Sequence, residues 1–283
     1  MNKILLITGT SGALGRYLMK YFEGLGYDVI GTVGRSRPGK NEIPIRLERP
    51  GSFERLEKVL ETKKPAAIIH NAAMLKSKGN RKAMYAANVK GTENLLELAE
   101  RSGCRNFIQI STVGIYGIRS LGNDRDENTR PIDIEPYGRS KRMAEQKVRE
   151  SGLPFTILRL PLIKYEGDTF IWRMVKGGGP SFIRKRENNI VSSVTPAYVA
   201  KTCSYIIEGG PLNDTFNCAD SHMTWRELVE DHCRHENIRI RNERKYGPLA
   251  AFRMGIIMGP IALFGQHTPG DKLQALMEKN DED

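Results

Sequence analysis

Tyr137 and Lys141 stand four residues apart in PYGRSKRMAEQ, residues 136 to 146. On a helix, positions i and i+4 share a face, which sets the Lys141 ammonium beside the Tyr137 phenol. A fixed cation there is expected to lower the phenol from its ordinary pKa of about 10 toward a range useful for proton transfer. The spacing leaves two readings open, a tuned acid or an aromatic ring on a polar surface, because the chain carries 10 tyrosines and 44 basic residues. The rest of the chain has to separate them.

A proton donor needs a reacting partner, and the first glycine turn offers one. TGTSGALG, residues 8 to 15, follows a short apolar run and opens an amphipathic stretch. In that context Gly9 permits a tight turn, Gly12 lets the backbone approach a pyrophosphate, and Gly15 lets helix and strand pack closely. The amides of the first helical turn then face the phosphates, so Thr10, Ser11, Ala13 and Leu14 join the three glycines as candidate cofactor contacts. Asn71, Ala72 and Ala73, after the apolar run at 66 to 70, are further candidates, and His70 is expected to line the same cleft rather than act as a base.

The second strand should end near Val33. An acid there would bond the 2′-hydroxyl of NAD, but the chain reads TVGRSRPGK, with Gly34 at that place and then Arg35, Ser36 and Arg37. Such a cluster suits a 2′-phosphate, which makes NADP the expected cofactor.

The elements that must hold these residues are legible as alternating runs. KILLIT (3 to 8), DVIGTV (28 to 33), AAIIHNA (66 to 72), NFIQIST (106 to 112) and FTILRL (155 to 160) are nearly continuous apolar stretches, as strands buried on both faces should be. Amphipathic segments separate them: Leu14, Leu18, Phe22 and Leu25 recur at helical spacing, as do Val89, Leu95, Leu96 and Leu98. Strand and helix in alternation imply an α/β fold, a Rossmann-type doubly wound parallel sheet. Residues 1–160 are expected to form the NADP-binding domain. Residues 161–283 are expected to be mainly a smaller C-terminal substrate-binding domain, with strands near 191–219 returning to the first. Thr224 and Glu227 read as the cap of a helix in TWRELVEDHCRHE.

Composition bounds what else the chain can be. With 283 residues, 39% hydrophobic and 27% charged, it is long enough for one large α/β domain with an appendage, and neither collagen, coiled coil nor wholly disordered. The net charge of +11 suits an anionic small-molecule partner. No aromatic-interleaved basic stripe accompanies it, so no nucleic-acid partner is expected. Cys104, Cys203, Cys218 and Cys233 are far apart and read as reduced thiols of a cytoplasmic protein. MNKILLITG reads as a first strand rather than a signal peptide. Residues 247 to 265, apolar but broken by Arg253 and two prolines, are too short for a confident span, so no transmembrane segment is expected. His232, Cys233 and His235 lack a fourth ligand at matching spacing, so no metal is expected.

Taken together, the glycines at 9, 12 and 15, IIHNAA at 68 to 73, Asn88 in NVKGTENLLELA, ISTVGIYG at 110 to 117 and YGRSK at 137 to 141 resemble, in order and spacing, the extended short-chain dehydrogenase/reductases. The resemblance covers most of the chain and implies a catalytic hydroxyl at Thr112 with Ser111 adjacent as a substrate contact, Tyr137 as acid or base, Lys141 as its partner, and Asn88 near the set. By position it also implies Arg184 and Arg186 as ligands of a nucleotide diphosphate, and a homodimer. Val113 and Gly114 follow Thr112 where the family's sugar dehydratases carry an acidic pair, which disfavours dehydration. The expected activity is NADP(H)-dependent reduction of a carbonyl, or oxidation of the alcohol, on an anionic small molecule such as a nucleotide-activated sugar. The alternatives are a nucleotide-sugar epimerase with retained cofactor and a non-catalytic NADP-sensing or scaffold protein.

Overall fold

The structure, a computed structural model, describes residues 3–75, 81–117, 125–132, 135–165, 188–235 and 267–281. The apolar runs become strands β1 (Ile4–Thr8), β2 (Asp28–Val33), β4 (Ala67–His70), β5 (Phe107–Thr112) and β6 (Phe155–Leu160). Two short strands, β3 (Glu42–Pro44) and β9 (Asp214–Asn217), complete a seven-stranded sheet in the order β3-β2-β1-β4-β5-β6-β9. Every pairing in it is parallel. The order reverses between β1 and β4, and in such sheets the crevice beyond the carboxyl ends at that point is where ligands bind.

Alternating side chains send each strand's apolar residues to both faces. Leu5, Ile7, Ile69 and Ile108 meet Leu14, Leu18 and Phe22 of α1 (Ala13–Gly24), together with Val199, Cys203 and Ile206 of α6 (Pro196–Gly209). Leu6, Ile68, Phe107 and Ile157 meet Leu56 and Leu60 of α2 (Glu54–Thr62), Leu95 and Leu98 of α4 (Gly91–Arg101), and Val148 of α5 (Pro136–Glu150). Leu25, assigned by its spacing to the buried face of α1, lies one residue past the helix end and is 45% exposed.

Between α3 (Arg81–Tyr85) and α4 the chain makes a π-helical turn, Ala86–Lys90, which buries Asn88 and Val89. A second, three-stranded sheet is formed by β7 (Leu162–Ile163), β8 (Ile190–Val194) and β10 (Ser221–Thr224), ordered β10-β8-β7. Of the strands expected near 191–219, β9 thus pairs with β6 in the large sheet, whereas β8 pairs with β7 and β10 in the small one. Helix α7 (Trp225–His235) opens on the expected cap: the Glu227 N–H donates to Thr224 Oγ1 at 3.2 Å and the Thr224 N–H to Glu227 Oε2 at 2.8 Å. Helix α8 (Asp271–Asp281) places Leu273 in the core on the α1 side. No helix among the described residues is long and apolar enough to cross a membrane, and residues 247–265 lie outside the described residues.

Candidate active site

The site grows from the ends of three strands. Beyond β1 the chain turns at Gly9, φ +75°, where a Cβ would stand 2.8 Å from the Ala72 Cα. A Cβ on Gly15 would stand 2.2 Å from the Gly9 carbonyl oxygen, so the first turn of α1 can lie against the loop only with glycine there. The capping residue of α1 is Gly12, which supplies no side-chain hydrogen bond, so the amides of that turn keep their donor capacity toward the crevice. This is a cradle a dinucleotide pyrophosphate fits. Gly9, Ser11, Gly12, Ala13 and Leu14 line a cavity of about 580 Å³ together with Arg35, Ser36, Asn71, Ala72 and Ala73.

Thr112, Tyr137 and Lys141 line the same cavity. Thr112 ends β5, and its Oγ1 accepts the Gly114 N–H at 3.0 Å, which turns the chain into the 3₁₀ turn Val113–Tyr116. Tyr137 sits in the first turn of α5, just behind Pro136. That turn lies so close to the 3₁₀ turn that a Cβ on Gly138 would be 2.6 Å from the Gly114 carbonyl oxygen. Glycine at 138 is therefore what lets the phenol approach the Thr112 hydroxyl's end of β5.

Lys141 is 3% exposed, and its Nζ donates to the Ile110 carbonyl at 2.7 Å. Burial lowers its ammonium to about 8, with the Glu145 carboxylate working the other way. The Tyr137 phenol is not lowered as the pairing with lysine suggests; burial pushes it up to about 12. The reason is visible in the bonds: the ammonium is spent on a strand carbonyl rather than on the phenolic oxygen, and desolvation penalises phenolate. At neutral pH the phenol is thus un-ionised, the form that gives a proton.

Several expected contacts lie elsewhere. Thr10 is fully buried and points away from the cavity, its hydroxyl donating to Glu42 Oε1 at 2.5 Å and lying 3.1 Å from the Thr32 carbonyl. Arg37 is exposed and does not line the cavity, and Gly15 acts beneath it. Asn88 is 2% exposed and is not on the cavity wall: its amide accepts the Met74 N–H at 2.7 Å and donates to the Met74 carbonyl and Ser140 Oγ. It holds the frame instead of meeting the reacting atoms. Ser111 borders the cavity, but its hydroxyl donates to Glu145 Oε1 at 2.6 Å, which removes it as a free substrate contact. His70 does not line the cleft; it is 1% exposed beneath it. Burial, and then the Lys141 charge, lower its imidazole to about 3. Arg184 and Arg186 lie outside the described residues.

Sequence reasoning missed the far walls. Arg46 and Glu48 follow β3, a strand too short to recognise, and form an ion pair at the cavity edge near Arg35 and Ser36. Leu160, Pro161, Ile163 and Tyr165 close the opposite end. Tyr165 stands over the first turn of α1: burial raises its phenol, and the Leu14 N–H and the Arg16 charge work against that rise. The LPLIKY stretch holding this wall carries no special residue type, so only its place after β6 could have marked it.

Behind β5 lies an ionic cluster. Glu145, fully buried, is gripped by Arg159 through Nε to Oε1 at 3.0 Å and Nη2 to Oε2 at 2.8 Å, and by Arg149 at 3.0 Å. Burial works to raise the Glu145 carboxyl, but the Arg159 and Ser111 bonds overcome it and hold it below the usual range. Arg159 also donates to the Tyr116 hydroxyl at 2.9 Å, which in turn donates to Asn217 Oδ1 at 2.8 Å. Arg125 is 3% exposed and donates to the Gly117 carbonyl. No group of three metal-ligating side chains occurs among the described residues, and the side chains of His232, Cys233 and His235 are not among them.

A parallel sheet with a glycine cradle at its switch point and a Thr, Tyr, Lys set on the same cavity defines a dinucleotide-binding α/β protein. Residues 5–169 match the model of the NAD dependent epimerase/dehydratase family, more than half of the chain, and the chain belongs to that family. It is 31% identical over 170 residues to a UDP-glucose 4-epimerase of Rhizobium meliloti (strain 1021), covering 58% of this chain and 51% of that protein. A UDP-glucose 4-epimerase of Rhizobium leguminosarum bv. trifolii is 38% identical over 155 residues, 53% of this chain and 47% of that one. The matched stretch thus spans about half the length of these curated relatives. Among solved structures, the UDP-glucose 4-epimerase of Thermus thermophilus in complex with NAD superposes with a TM-score of 0.74 at 18% identity, covering 96% of this chain and 92% of that one. The dTDP-glucose 4,6-dehydratase from Bacillus anthracis str. Ames in complex with NAD gives 0.74 at 18%, covering 97% and 90%. At these identities the structural likeness speaks for the fold.

Proposed function

We propose that this chain transfers hydride between a nicotinamide dinucleotide, NADP(H) by preference, and a carbonyl or carbinol carbon of an anionic small molecule such as a nucleotide-activated sugar. The observation that carries this reading is the placement of Thr112, Tyr137 and Lys141 on one cavity with the glycine turn. Gly9, Gly12 and the first turn of α1 would hold the pyrophosphate, with Arg35 and Ser36 on the side of the 2′-phosphate.

A nicotinamide held in this cavity would supply or accept the hydride. Reduction leaves negative charge on the carbonyl oxygen, and the un-ionised Tyr137 Oη gives that oxygen its proton. Thr112 accepts the Gly114 N–H, which orients the hydroxyl and leaves its own hydrogen to donate to the same oxygen. Lys141, held on the Ile110 carbonyl, adds a positive charge to the floor of the site at pH values below about 8. Alcohol oxidation runs these steps in reverse, with the phenolate of Tyr137 as base.

A second reading, a nucleotide-sugar epimerase that retains its cofactor, is favoured by the names of the relatives. One experiment separates them. Purified protein is assayed by nicotinamide absorbance against a panel of carbonyl compounds that includes nucleotide-4-ketosugars, and by product analysis against nucleotide sugars. Substrate-dependent loss of NADPH, abolished in Tyr137→Phe, supports the reductase; interconversion of sugars without net absorbance change and with co-purifying cofactor supports the epimerase. Turnover unchanged by Tyr137→Phe overturns both. A homodimer and a cytoplasmic setting belong to the same proposal, the first being open to sedimentation measurements.

A further inference from the structure

His70 touches neither the cavity nor solvent, yet both its ring nitrogens are bonded. It ends β4, its ring tilted against Phe107 at 6.0 Å between centroids. Nδ1 lies 2.8 Å from Thr8 Oγ1, and Nε2 lies 3.0 Å from Thr92 Oγ1. The neighbours dictate the direction of each bond. The Thr92 hydroxyl spends its only hydrogen on the Asn88 main-chain carbonyl at 2.7 Å, so its oxygen accepts from a ring N–H at Nε2. A neutral imidazole then has a bare Nδ1, which accepts the Thr8 hydroxyl. Thr8 Oγ1 in turn accepts the Ala72 N–H at 3.0 Å.

The string continues beyond the π-helical turn. Asn88 takes the Met74 N–H and returns bonds to the Met74 carbonyl at 3.1 Å and to Ser140 Oγ at 3.0 Å. Ser140 donates to the Tyr137 carbonyl at 2.8 Å. Buried and part-buried hydrogen bonds, continuous through residue Asn88, therefore join Ala72 and Met74, both on the cavity wall, to the helical turn that carries Tyr137.

We propose that His70 is a positioning residue: as the neutral Nε2–H tautomer it locks the strand end under the dinucleotide to the turn of α5 that presents the phenol. This rests on the reading of the cavity as a nicotinamide dinucleotide site with Tyr137 at its reacting end. A residue that only filled space would tolerate an apolar replacement of similar bulk. His70 instead has to offer an acceptor and a donor at opposite ends of one side chain, a demand glutamine meets in part and leucine does not.

The test begins on wild-type protein. Nitrogen-15 NMR of labelled histidine should show His70 protonated at Nε2 and bare at Nδ1 between pH 5 and 8; an Nδ1–H tautomer or a cationic ring overturns the proposal. Cofactor binding is then followed by fluorescence with NADPH and NADH, using whichever binds wild type more tightly. Each net hydrogen bond lost corresponds to a weakening of about fivefold, so His70→Leu and the near-isosteric Thr92→Val should each raise the dissociation constant about fivefold to tenfold. His70→Gln should stay within about twofold of wild type on the same scale. Leu and Gln variants that bind alike, or a Thr92→Val variant that binds like wild type, overturn the proposal. Where a wild-type substrate is known, the fall in kcat should follow the same order. If wild type turns over no carbonyl compound, or binds neither dinucleotide, the functional reading fails while the tautomer measurement still decides the role of His70.

Discussion

Lys141 is a cation drawn almost wholly out of water onto a strand carbonyl that Gln109 Nε2 also reaches, at 3.0 Å. Its ammonium is lowered from 10.5 to about 8, so between those values the unfolded chain binds the proton more tightly and stability rises with pH. Below about 8 the full penalty is present. Lys141→Met should therefore stabilise the fold at pH 7 by about 1–3 kcal/mol while abolishing turnover, as denaturant melts and activity assays on the same preparations would show. His70 has the same sign. Its folded value near 3 lies below the ordinary 6.5, so stability is complete above 6.5 and falls as the pH drops toward 3. The expected slope is about 1.4 kcal/mol per pH unit within that window, absent in His70→Gln, and acid melts of the two proteins would check it. These residues also mark the limit of reading by type. Tyr137 and Lys141 could be singled out by their spacing and Thr112 by the family resemblance, and all three line the cavity. Ser111 and Asn88 were not legible in this way, because what they do depends on Glu145 and Ser140, 34 and 52 positions away.

At the scale of the element, α5 carries the site and is anchored twice. Its first turn touches the 3₁₀ turn through Gly138, where a Cβ would meet the Gly114 carbonyl oxygen at 2.6 Å. Gly138→Ala has to push helix and turn apart, which should cost about 1–3 kcal/mol of stability by overpacking and on the order of 100-fold in kcat by displacing the phenol. A kcat that survives the substitution would mean the turn yields without moving Tyr137. Farther along, Glu145 ties α5 to β6 through Arg159. Arg159→Met leaves a buried carboxylate with Arg149 and Ser111 as its remaining bonded partners and should cost about 3–5 kcal/mol, whereas Glu145→Leu combined with Arg159→Met should recover most of that in the same denaturant titration. Strands β1, β2, β4, β5 and β6 were readable because burial on both faces makes them continuous apolar runs. β3 and β7, at three and two residues, are too short to have a period, and β10, as short as β4 but reading SHMT, has no apolar run; all three exist through pairing.

For the molecule as a whole, the order of motifs along the first 169 residues made the family legible, and the excess of 11 positive charges pointed to an anionic ligand. What the sequence did not reveal is how that charge is arranged on the cavity wall beyond β2, the side proposed for the adenosine. Among the described residues, Arg35, Ser36 and Arg46 share the cavity wall there with one carboxylate, Glu48. The nearer acid by sequence, Glu42, is occupied beneath the loop, accepting Thr10 Oγ1 and the Gly39 N–H at 2.6 Å. Glu48 is in turn held by Arg46. A wall with its acids occupied and Arg35 upon it should favour a 2′-phosphate over a 2′-hydroxyl. Removing the cation in Arg35→Ala should cut the ratio of NADP to NAD affinity by about tenfold, the worth of one charge-assisted hydrogen bond. Arg46→Ala should move the ratio the same way for a second reason, since it releases Glu48 to accept a ribose hydroxyl and so improves NAD as well as harming NADP. Titrating both dinucleotides against both variants separates the two effects: a loss confined to NADP in Arg35→Ala, and opposite changes in the two affinities in Arg46→Ala. Equal affinities for the two dinucleotides in wild type, unchanged in either variant, would remove NADP from the assignment and leave the cavity to NAD.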